Sequence, residues 1–256
     1  HILICEDSLE GIFTAVYVAY EKRYRPEQTA IATTEEGNMR LFAVYEHVLT
    51  DSVKSGKVMN TLRRRFGEEG FYKFCLALAS TGEDKGTVVY RTIARGLGLR
   101  RPFSVFDMHT DRNVDRTHKL KYQAWHEMHQ LFGFVRFREI QGGILFSEIC
   151  PKNNVLPFLA DHFSDRFPAE HFLIYDKGRT LFAVHEAGRQ WFLAQDLHFE
   201  REGVKESETE ALYQELFRHF CHKIAIEARG NDALQRGMLP LHFRLYMTEF
   251  TNSLPK

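Results

Sequence analysis

The chain has 256 residues, enough for one large domain or two small ones. Its 34 Lys and Arg balance 34 Asp and Glu, which excludes a global field that draws in nucleic acid and confines any such contact to a local patch. At 44% hydrophobic, with 22 Phe, it can bury a broad core, yet no run of about 18 apolar residues exists to span a membrane.

The opening, HILICEDSLEGIF, carries no basic leader with a cleavage site. It is expected to enter folded structure directly, just behind a lost initiator Met. Ile2–Cys5 reads as a short apolar strand. Asp7 or Ser8 can cap the helix that follows, whose Leu9, Ile12, Phe13, Val16, Tyr17 and Tyr20 stand at helical spacing. The polar stretch 23–38 is expected to be a long surface loop. Leu41–Leu49 reads as a second strand, and Thr50, Asp51 and Ser52 supply a helix start. From Val53 to Leu99 the pattern is helical, in three pieces broken near Gly67 and around Thr81–Gly82.

Residues 113–131 form the clearest helix, with Asn113 as its expected cap. Strands then follow quickly. FVRFREI and ILFSEIC flank Gln141-Gly142-Gly143, a hairpin turn in which glycine supplies positive φ. FLIYD and TLFAVHE flank Lys177-Gly178-Arg179, and Ala187-Gly188 turns into QWFLA. A short helix, about Asn154 to Ser164, separates the two hairpins. Ser207–Ala228 reads as an amphipathic helix with Leu212, Leu216, Phe217, Phe220 and Ile224 on one stripe. The expected fold class is α+β: a central antiparallel sheet of two hairpins plus extra strands, covered by helices, with a helical N-terminal layer. Residues 1–100 form the mostly helical region and 101–256 the sheet region, unless both belong to one integrated domain.

Three constellations could carry chemistry. His118 and His129 lie on one face of the 113–131 helix, with Tyr122 and Trp125 between them. The sequence HEMH at 126–129 is one residue short of the H-E-x-x-H metal spacing. His219 and His222 repeat the i, i+3 pattern. Hydrogen-bonded histidines along a helix–sheet seam outweigh a metal site, so no metal and no cofactor are expected. His162, Phe163, Arg166 and Phe167 are spaced to point one way, and Asp176 and Arg179 bracket a hairpin turn. A buried network such as His129–Asp176–Arg166 is imaginable, although Asp at such a turn more often bonds its own backbone. Finally, Arg91, Arg95, Arg100, Arg101, Arg112, Arg116, Lys119 and Lys121 outnumber Asp107, Asp111 and Asp115 over one stretch. With Phe103, Phe106 and His109 interleaved, that stretch could offer a platform for single-stranded DNA. Arg63-Arg64-Arg65 adds a second cluster.

Several signatures are missing from the sequence. It has no G-x-x-x-x-G-K-[ST] loop, no G-x-S-x-G elbow and no full dinucleotide fingerprint. Cys5, Cys75, Cys150 and Cys221 are isolated, so they are expected to be reduced, half-buried residues of a cytoplasmic protein.

The segments 117–139, 151–168 and 172–184, together with EARGNDALQRGMLPLHFRLYMTEF at 227–250, resemble a bacterial family of DNA metabolism or DNA repair proteins. Members of that family are encoded beside a radical-SAM protein of DNA modification or repair. The same region is found fused to uracil-DNA-glycosylase-like domains. The resemblance implies an accessory to DNA repair, with DNA and a radical-SAM protein as partners and no established reaction. It carries over motif positions only: His118, His129, Arg136, Phe137, His162, Phe163, Arg166, Phe167, Asp176 and Arg179, with Arg229, Asn231 and Pro240. Two alternatives stay open. One is an enzyme acting on nucleic acid through a cleft of His118, His129, His162, Arg166 and Asp176. The other is an interaction module with no DNA role.

Overall fold

The computed structural model describes residues 1–35, 41–195, 206–224, 235 and 237–250. The chain forms two compact units, residues 1–126 and 127–256.

The first unit is built on a small parallel sheet. Strand β1 (Ile2–Cys5) is central, flanked by β2 (Ala30–Ala32) and β3 (Tyr45–Val48), both parallel to it. Every residue of β1 is buried, as a parallel strand covered on both faces requires. Helix α1 (Leu9–Glu21) starts at Ser8, whose hydroxyl accepts from the Gly11 N–H at 3.0 Å. Helix α2 (Ser52–Ala79) starts at Asp51, whose Oδ1 accepts from the Val53 and Lys54 N–H groups at 2.9 and 3.0 Å. Gly67 sits at φ 75° and breaks α2 where the sequence suggests. Helix α3 (Lys85–Leu97) follows, then α4 (Arg112–Phe134). The cap of α4 is Asp111, which accepts from the Asn113 N–H at 2.8 Å; Asn113 is itself inside the helix. Phe13, Leu62, Phe74, Tyr90 and Ile93 are fully buried at the centre of this unit.

The N-terminal layer is therefore not helical alone: its helices pack on a sheet of their own. Strand β2 lies inside the polar stretch read as a loop. Three residues, Ala-Ile-Ala, give too short an apolar run to stand out from the threonines around them.

The second unit carries a five-stranded sheet, in order β4 (Arg138–Ile140), β5 (Ile144–Ile149), β6 (Phe172–Asp176), β7 (Leu181–His185), β8 (Phe192–Gln195). Both hairpins form at the expected turns, with Gly142 and Gly143 at positive φ. The sheet is mixed, however. Strands β5 and β6 pair in parallel, joined by a crossover through α5 (Leu156–Arg166), so the central antiparallel sheet foreseen from the sequence is corrected. Local pattern signals each hairpin but not how one hairpin meets the next. On β6, Phe172, Ile174 and Asp176 are buried while Leu173 and Tyr175 are half-buried, so the two faces are unequally covered. Helices α6 (Glu210–Ile224) and α7 (Leu241–Arg244) complete the described residues. No described helix is long and apolar enough to cross a membrane.

Candidate functional site

The buried residues of α4 recur at helical spacing, Val114, Thr117, Leu120 and Ala124. Their seating turns the opposite face outward. On that face Tyr122 and Trp125 are 57% and 38% exposed, and His126 is exposed as well. Tyr122 stands 6.0 Å from Trp125 and 5.9 Å from His126, ring centre to ring centre, tilted by 32° and 35°. These three rings form a continuous exposed aromatic surface. Beside it runs a shallow groove of about 470 Å³ lined by His109, His118, Lys119, Lys121, Tyr122 and Gln123.

His118 is fixed at the base of this groove. Its Nε2 meets the Phe106 carbonyl at 2.8 Å. A carbonyl only accepts, so Nε2 carries the proton. The His109 ring lies 5.1 Å away and the Phe106 ring 6.0 Å away.

The basic stretch divides into used and exposed cations. Arg91 donates to the carbonyls of Pro26, Glu27 and Thr29 and so ties down the chain before β2. Arg116 grips Asp84. Lys119 pairs with Asp115 at 2.7 Å, and that contact holds the Asp115 carboxyl below its ordinary range. Arg95, Arg100, Arg101 and Arg112 are exposed, and Lys121 is half-exposed on the groove. Arg63 lies over the Phe71 ring at 4.2 Å and pairs with Glu68.

The remaining candidates of the second unit divide between its interior and its surface, where His129 and Arg166 are exposed. The His162 ring stacks on Phe132 at 4.0 Å, and burial, then the charge of Arg166, lowers its pKa. His129 is exposed, with its ring edge-on to Phe132 at 6.2 Å. Arg166 lies over Phe167. Phe137 meets Phe163, Phe167 and Phe172 edge-on. Arg136 holds Glu249, and Pro240 precedes α7 as its cap residue. Arg229 and Asn231 lie outside the described residues, as does the side chain of His222.

Asp176 is fully buried and accepts from the Gly178 and Arg179 N–H groups and the Arg179 guanidinium, at 3.0 to 3.3 Å. The imagined His129–Asp176–Arg166 network does not form, because the turn consumes Asp176. Arg179 also donates to the Pro151 and Lys152 carbonyls at 3.1 and 2.6 Å.

Glu127, the acidic residue of HEMH at 126–129, completes this arrangement. It is 7% exposed and accepts from the Lys152 N–H, the Asn153 N–H and the Asn153 side-chain amide, at 2.6 to 2.8 Å. The Pro151–Asn153 segment is thus clamped by a carboxylate and a guanidinium, and the motif 151–154 is a structural joint. Its trace in the sequence is Pro151 just after a strand, followed beyond Lys152 by Asn153 and Asn154. Among the described residues, no three His, Cys, Asp or Glu side chains converge as a metal-binding set.

A family model described as a domain of unknown function, DUF4130, matches residues 83–249. No curated protein and no solved structure matches.

Proposed function

The chain belongs to the DUF4130 family, and with no reaction attached to that description we propose, from the site itself, a DNA-metabolism accessory protein that binds single-stranded DNA on the outer face of α4. The observation that carries this reading is the exposed run of Tyr122, Trp125 and His126 rings beside Lys121 and the His109–His118 groove. Unstacked bases lie on such rings at little sequence cost, and nearby cations meet the phosphates. The resemblance of 113–250 to DNA metabolism and repair proteins supports the same setting. A duplex offers no free base faces, so single strands are the preferred form.

The test is fluorescence anisotropy with single-stranded, duplex and uracil-containing DNA across a salt series. Binding that weakens with salt, favours single strands and is lost in Tyr122→Ala/Trp125→Ala supports the proposal. No binding by the wild-type chain at low salt removes it.

A role in docking a protein partner has one observation in its favour. Leu212, Leu216 and Phe220 on α6 are 55–57% exposed, although their spacing marks them as one apolar face. Stable co-purification with the radical-SAM protein, lost in Leu216→Asp/Phe220→Asp, supports that role.

A further inference from the structure

The second unit holds a small polar cleft far in character from the α4 groove. Its volume is about 180 Å³ and its lining includes Arg136, Arg138, Glu148, Gln214, Tyr246 and Thr248. The register of the first hairpin assembles it. Arg138 on β4 pairs directly with Phe146 on β5, and Glu148 lies two residues beyond Phe146, on the same face of the strand. Arg138 and Glu148 are therefore diagonal neighbours across a shared wall, a separation that long side chains span.

The polar groups of this wall are set by their surroundings. The Arg136 guanidinium is committed to Glu249, at 2.8 and 3.3 Å, and to the Gly133 carbonyl at 2.7 Å, so it acts as a rigid side. Arg138 gives one nitrogen to Glu206 at 3.0 Å, while its guanidinium plane lies 5.2 Å from the Phe146 ring centre. A guanidinium has five donors, and Arg138 has donors beyond that one bond. The Glu148 side chain is only 8% exposed, and its ion pair with Lys177 is long, at 3.9 Å.

Charge and size narrow the occupant. Two lining arginines face two lining glutamates, Glu148 and Glu206, so neither a phosphate nor a metal cation finds a matching field. The volume lies below the roughly 300–1,000 Å³ usual for drug-sized ligands, which admits a single ring system and not a whole nucleotide. A neutral, planar molecule with adjacent donor and acceptor positions suits a donor and an acceptor held on one wall.

We propose that this cleft receives one unstacked nucleobase by its hydrogen-bonding edge, with Glu148 accepting and Arg138 donating. Extruded or single-stranded bases are read in this way, by their pairing edge within a fitted pocket. The choice of a nucleobase over other neutral heterocycles rests on the nucleic-acid reading above.

Saturation-transfer NMR on the full chain, with free adenine, guanine, cytosine and thymine in turn, tests the proposal separately from strand binding. At least one base is expected to bind saturably. Glu148→Gln, which replaces half of the acceptor with a donor, and Arg138→Gln each weaken it by about tenfold or more. That pattern supports the cleft even if single-stranded DNA fails to bind. If Glu148→Gln does not fold, Arg138→Gln decides. Absence of base binding, or binding untouched by the substitutions in the cleft, overturns the proposal, whatever the strand does.

Discussion

Arg116 holds Asp84 by two bonds side by side, Nε to Oδ2 at 2.8 Å and Nη2 to Oδ1 at 2.9 Å. This pair joins the start of α3 to α4 and removes one cation from the basic stretch that would otherwise be assigned to DNA. Both side chains are more than a third exposed, so Arg116→Ala is expected to cost only about 0.5–1 kcal/mol of stability. Its affinity for single-stranded DNA, measured by anisotropy, should equal that of the wild type. The Arg116 hydrogen bonds hold the Asp84 carboxyl below its ordinary pKa. The pair's contribution is thus present above the ordinary carboxylate range and is lost as pH falls through the depressed value. Urea unfolding of the wild type and Arg116→Ala should converge in acid.

Tyr122→Ala and Trp125→Ala are each expected to weaken single-strand binding by about 1–3 kcal/mol, the range for loss of one stacked base. Both side chains are substantially exposed, so the melting temperature should hardly move. A matched fall in stability would mean that the rings serve the fold.

Glu127→Ala should be among the more damaging single changes in the second unit. It strips the partner from two backbone N–H groups and one side-chain amide around Asn153. The expected loss is about 2–3 kcal/mol by denaturant unfolding. Glu127→Gln keeps one accepting oxygen and should lose less.

Asp176 behaves in the opposite sense to Asp84. Burial raises its pKa despite the nearby Arg179, so the folded state binds the proton more tightly than the unfolded chain. The penalty on its charged form is present above the folded value and is relieved as pH falls through it. Asp176→Asn keeps an acceptor for the turn and removes this dependence. Wild-type stability should therefore rise relative to Asp176→Asn as pH drops toward the raised value, in parallel urea titrations.

The local devices of this fold were legible in the sequence because each is written in a few adjacent residues. Ser8 and Asp51 cap helices, Gly67 breaks one, and Gly142-Gly143 turns a hairpin, all as their types dictate. What escaped was pairing at a distance. Nothing near Leu145 or Phe172 says that they meet in parallel, and Ala30–Ala32 becomes a strand only because Ile2–Ile4 is there to bond it. The stripe on α6 was read correctly as a stripe, but periodicity defines a face and not what lies against it. The site followed the same rule. Tyr122 and Trp125 were visible as neighbours on one helical face, whereas the engagement of Arg91 and Arg116 by partners 25 or more residues away was not.

The parallel junction of β5 and β6 also has a kinetic meaning. Each hairpin can zip from its own turn, but the two can join only after the intervening helix has looped back. Closing that longer connection makes the joining of the hairpins the slow event in assembling this sheet. The Glu127 carboxylate and the Arg179 guanidinium both grip the first residues of that connection. They act as a latch engaged late, so weakening them should speed unfolding far more than it slows folding.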